Sequence, residues 1–122
     1  MPERLKTAPA HSVASHFEKC EPEVSAIYRK VLAAARKLGP VAEDPKKTSI
    51  HLVNGTAFAG VATRRSALIL TLKSPTDVKS PRVTKREQAS KNRWHLEVRL
   101  ESVADLDRQV LALLAKSYAM SE

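Results

Sequence analysis

The chain has 122 residues, a formal net charge of +8, 43% hydrophobic residues, 28% charged residues and 4% aromatics. That size fits one domain burying about two thirds of its unfolded surface. The charged fraction, and the lack of any apolar run near the ~18 residues a transmembrane helix needs, exclude a membrane-embedded chain.

The first residues lack the apolar core of a secretory signal, so a cytoplasmic location is expected. A single cysteine, Cys20, forbids an internal disulfide and fits a reducing compartment. Residues 1–11 read as a mobile tail with one large apolar residue, Leu5, and 12–122 as a single domain. Ser12 to Lys19 suits a short helical turn that brings Val13 and Phe17 together. A first helix begins near Cys20-Glu21, with Pro22 in its first turn, and carries Val24, Ile27, Val31 and Leu38 on one stripe. Gly39 is expected to end it as a left-handed cap, with Pro40 preventing resumption.

Val41 to Glu43 reads as a brief edge strand, followed by three strands between Lys47 and Lys73. Asn54-Gly55 marks a two-residue hairpin, since both residues tolerate positive φ; Arg64-Arg65-Ser66 marks the next bend. Ile50 and Leu52 share one face with Thr48, opposite Ser49, His51 and Val53, and Phe58, Gly60 and Ala62 are expected to share a face. Leu68 to Leu72 is nearly continuous in its apolar character, as befits a central strand. Ser74 to Asn92, with two Ser-Pro pairs and few apolar residues, reads as a long loop. Arg93 to Leu100 alternates cleanly: Trp94, Leu96, Val98 and Leu100 face in, His95, Glu97 and Arg99 out. Ser102 then caps a last helix with Asp105 three residues on, and Val103, Leu106, Val110, Leu113 and Ser117 form its stripe. The expected class is α+β: a four- to five-stranded, mainly antiparallel sheet with an N-terminal and a C-terminal helix on one face.

Several short motifs occur in order: HF-x-x-x-x-PEV-x-x-x-Y from His16, KT-x-I from Lys47, FAGV then RR from Phe58, SPR from Ser80 and W-H-x-x-VRL from Trp94. With the D-L-D at Asp105 to Asp107, this set resembles the bacterial family called domain of unknown function 5655, over roughly residues 12–119. The resemblance implies a small α+β fold and no established activity, and supplies no catalytic residues. Similar domains occur alone or appended to longer proteins, some resembling restriction-type nucleases.

Charge is unevenly spread: +1 over residues 1–45, +9 over 46–99 and −2 over the remainder. The basic excess suits phosphate binding through Lys47, Arg64, Arg65, Arg82, Lys85, Arg86 and Arg93, without base reading. Five aromatic residues leave few stacking platforms. Ser49, His51, His95, Glu97 and Arg99 form a second candidate set, a polar pocket on the sheet for a small ligand. No third metal ligand accompanies the histidines.

Cys20 at a helix N-terminus lies between Glu18 and Glu21, which oppose thiolate formation. Asp77, Glu87 and Glu97 are the only carboxylates of the basic region, and Glu97-Val98-Arg99 has arginine where an E-x-K motif has its lysine. No Walker, Rossmann or nucleophile-elbow pattern occurs. The sequence therefore reads as a non-enzyme, with no catalytic residue, metal or cofactor. Its leading reading is a binding or adaptor module for nucleic acid or another polyanion. A ligand pocket or enzyme around the sheet histidines is the alternative, and a protein-interaction or homodimerisation domain a third.

Overall fold

Pro22 lacks the N–H that a first helical turn leaves unpaired, and Glu23 complements the helix dipole beside it. From there α1 (Pro22–Arg36) buries Val24, Ile27, Tyr28, Val31 and Ala35. The computed structural model describes residues 12–121; the tail expected over 1–11 lies outside them, as does Glu122. A short 3-10 turn, Ala14–Phe17, precedes α1. Leu38 lies beyond the helix and is 43% exposed, so it does not continue the stripe.

Six strands follow: β1 (Ala42–Pro45), β2 (Ile50–Asn54), β3 (Thr56–Arg64), β4 (Ala67–Ser74), β5 (Val83–Ser90) and β6 (Arg93–Leu100). A 3-10 turn, Val103–Asp105, then leads to α2 (Arg108–Ala119). All strand pairs are antiparallel, in the order β1-β2-β3-β4-β6-β5. Both helices pack on one face over β4, with α2 reaching β3 as well. Leu68, Leu70 and Leu72 of β4, fully buried, meet Val61 and Ala59 across β3 and Leu100, Val98 and Leu96 across β6. Among the described residues no helix is long and apolar enough to cross a membrane.

The sheet has six strands rather than the expected four to five, because the long loop over Ser74–Asn92 contains β5. Its sequence VTKREQAS buries only Val83, so no period-two apolar signal betrays it. β5 exists as an outer edge paired to β6 through the Lys91-Asn92 turn. At the first hairpin only Gly55 takes positive φ (75°), and Asn54 stays in β2. A bulge then sets Val53 opposite Ala57 but Leu52 opposite Ala59. Phe58, the extra residue, is buried together with Ala59 and Val61, while Gly60 and Ala62 lie on the other face.

Two helix boundaries also differ from expectation. The Ser102–Asp105 capping box closes the 3-10 turn, and α2 is capped instead by Asp107, whose Oδ1 accepts from Val110 N at 3.1 Å. Gly39 has a positive φ of 154°, far from the left-handed helical cap expected but still a conformation that residues with a side chain rarely adopt. A Cβ there would also collide with the Tyr118 hydroxyl, which donates to the Pro40 carbonyl at 3.0 Å. Gly39→Ala should therefore lower the melting temperature, and in a Tyr118→Ala background it should cost less, the remainder being the strain of the positive φ. Additive losses in such a double-mutant cycle would show that the collision is not the reason for glycine.

Candidate functional site

The β1–β2 turn (46–49) and the β3–β4 turn emerge at the same end of the sheet, because Pro45 pairs with Ile50, Ile50 with Val61 and Arg64 with Ala67. The N-terminal 3-10 turn lies across both. Thr63 Oγ1 donates to the His16 carbonyl at 2.8 Å, Glu21 N donates to the Arg65 carbonyl at 2.8 Å, and His16 Nε2 donates to the Lys46 carbonyl at 2.8 Å. A carbonyl can only accept, so His16 carries its proton on Nε2 there. His16 thus ties the 3-10 turn to the sheet end.

A groove of about 450 Å³ opens between these elements, lined by Ser15, His16, Lys19, Cys20, Arg64 and Arg65, with Glu18 its one carboxylate. Lys47 stands in the neighbouring turn. None of Lys19, Lys47, Arg64 and Arg65 is within ion-pair distance of a carboxylate among the described residues. Three of the seven cations proposed from sequence, Lys47, Arg64 and Arg65, therefore gather at one place. Lys19 joins them, a residue that sequence reasoning missed because its helical turn folds back only in three dimensions.

The other four are elsewhere. Arg82 donates through Nε to Asp107 Oδ2 at 2.7 Å and lies 3.5 Å from Asp105 Oδ1. Arg86 Nε is 2.7 Å from Asp77 Oδ1. These two arginines, with Lys85 between them, are not on a free loop: Arg82 closes the α2 cap, and Lys85 and Arg86 belong to β5. Lys85 faces Glu97 across the strand pair, and Arg93 begins β6 at the opposite end of the sheet.

The same carboxylates give a pH prediction. The Val110 amide holds the Asp107 carboxyl below its ordinary value; desolvation opposes it, and Arg82 adds to the lowering. A depressed carboxyl stabilises the fold above its unfolded pKa and loses that contribution as pH falls through the folded one. Melting temperature should thus drop below about pH 4, and Asp107→Asn should flatten the drop. An unchanged acid profile in the variant would remove Asp107 from the account.

The polar set divides as well. His51, His95, Glu97 and Arg99 all lie on the sheet face away from the helices, with Ser49 just before β2. In register, His51, Gly60, Thr71 and Glu97 form one row across four strands. But β3 and β4 separate His51 from the β6 residues, a distance of roughly 14 Å at the usual strand spacing. The two histidines therefore do not contact one small ligand together. Arg99 is engaged by Glu101, Nε to Oε2 at 2.8 Å. Among the described residues no group of three His, Cys, Asp or Glu is placed to hold a metal.

A second groove, about 520 Å³, was not foreseen. It runs between Val13, Phe17, Leu32, Tyr28 and Glu43 beside α1. Tyr28 donates to Glu43 Oε2 at 2.6 Å, tying α1 to the edge strand β1. Burial, then the hydrogen bond to Glu43, push the Tyr28 hydroxyl well above its ordinary pKa, so it serves as a donor. The partner of Tyr28 lies 15 residues on, across the helix end and a turn, so nothing local in the sequence links the two.

A family model described as domain of unknown function (DUF5655) matches residues 13–121. The chain belongs to this family. Within the DUF5655 domain, the match takes in the 3-10 turn with His16, both cationic turns, the whole sheet and α2. No curated protein and no solved structure matches the chain.

Proposed function

We propose that this DUF5655 domain is a binding module for polyanions, nucleic acid foremost, and that it engages them through the sheet end built by the 3-10 turn and the two basic turns. The observation that carries this reading is the gathering of Lys19, Arg64 and Arg65 around one groove, with Lys47 in the neighbouring turn, none of them within ion-pair distance of a carboxylate among the described residues. Cations left unneutralised near one another repel, and an anion between them relieves that repulsion while releasing its own counterions. The paired Arg82 and Arg86 act structurally in this reading. A cytoplasmic location accompanies it, on the single cysteine, which fits a reducing compartment.

Fluorescence anisotropy of a labelled 16-base-pair duplex across a salt series tests the reading. Four phosphate contacts correspond to a slope of log K against log salt of about −3 to −4. Affinity should be indifferent to sequence, because phosphate contacts carry no base information. A flat salt dependence, or no binding at low salt, would reject the proposal and leave the protein-interaction reading in front.

A further inference from the structure

We propose that Lys73, Arg93 and His95 form a phosphate-binding site on the open face of the sheet, distinct from the cationic end. In the β4–β6 register Lys73 lies directly opposite His95, and Arg93 is the preceding residue of β6 on that same face. Directly opposed side chains start about 5 Å apart at Cβ, and same-face neighbours along a strand about 7 Å. Three basic groups from two hydrogen-bonded strands therefore converge on one spot. The backbone beneath them is fixed: the Lys73 amide donates to the buried Ser117 hydroxyl at 2.8 Å. On the β3 side Gly60 opposes Thr71 and the register ends at Ala59–Leu72, so no β3 residue is paired with Lys73.

Charge around the spot is uneven. Neither Lys73 nor Arg93 is within ion-pair distance of a carboxylate among the described residues. Glu87 of β5 is in register with His95, and Glu97 belongs to the next row, where Lys85 opposes it. Desolvation, then the proximity of Arg93, lower the Lys73 ammonium pKa. A phosphate seated between them would accept from the Lys73 ammonium, the Arg93 guanidinium and a His95 ring N–H together.

The test is a two-dimensional NMR titration of the full chain, with inorganic phosphate in one arm and a short single-stranded oligonucleotide in the other, against matched sodium chloride. Saturable shifts at the amides of Lys73, Arg93 and His95 with phosphate, absent with chloride, are expected. Arg93→Gln should weaken phosphate binding roughly tenfold or more, as loss of a charge-assisted hydrogen bond does. His95→Gln provides a second, milder variant. A response to phosphate alone assigns the site to small phosphorylated ligands; a stronger response to the oligonucleotide assigns it to a nucleic-acid backbone. Arg64→Gln/Arg65→Gln should leave the phosphate response intact, which separates this site from the cationic end. Shifts that do not saturate, that chloride reproduces, or that persist unchanged in Arg93→Gln would overturn the proposal.

Discussion

Replacing Leu96 with alanine should lower the free energy of unfolding by about 2–5 kcal/mol. Leu96 is fully buried, sits on β6 opposite Leu72, and belongs to the core that also holds Val24, Ile27 and Val31 of α1 and Val110 and Leu113 of α2. The lost methyl groups forfeit their transfer free energy and leave a cavity, because strands on both sides prevent collapse into the space. Urea denaturation measures the loss. A change below about 0.5 kcal/mol, the range typical of surface sites, would mean that the face of β6 has been assigned wrongly.

Ser117→Ala should cost almost as much, although it removes only one oxygen. The bulge at Phe58 ends the regular β3–β4 register at Ala59–Leu72. The fully buried Ser117 hydroxyl steps into that gap from α2, accepting from Lys73 N at 2.8 Å and donating to the Phe58 carbonyl. Alanine orphans a buried donor and a buried acceptor together, at about 1–3 kcal/mol for each. Amide hydrogen exchange gives a local readout: Lys73 should lose protection in the variant more than its neighbours Leu70 and Leu72. Unchanged stability with a still-protected Lys73 amide would show that the strands close the gap directly.

Legibility in the sequence followed the strength of the apolar pattern. β6 was clear because Trp94, Leu96, Val98 and Leu100 alternate with polar residues, and α1 because its stripe, punctuated by Pro22, repeats every three to four residues. β5 was hidden because an edge strand beyond the helices buries almost nothing, so only its pairing to β6 defines it. The face assignment of β3 failed at Phe58, since a bulge breaks strict alternation without leaving a compositional mark. For the site, charge totals located the basic region, but pairing decides which cations remain available. Asp105 and Asp107 are more than 20 residues from Arg82, and nothing local links them. Likewise the convergence of Lys19 with Arg64 and Arg65 depends on hydrogen bonds from Thr63 and Glu21 that join distant segments.

The central claim, that placement rather than total charge determines polyanion binding, is tested by two equally charged variants. Arg64→Gln/Arg65→Gln removes two unpaired cations from the groove, whereas Arg36→Gln/Arg99→Gln removes two arginines already facing Glu43 and Glu101. Each lowers the net charge from +8 to +6. Salt-dependent anisotropy with the same duplex should show the first variant's slope reduced by about 1.8, two phosphate contacts at ~0.9 each, with the second variant indistinguishable from the parent. Equal weakening by both would contradict the account, because net charge alone would then explain the binding.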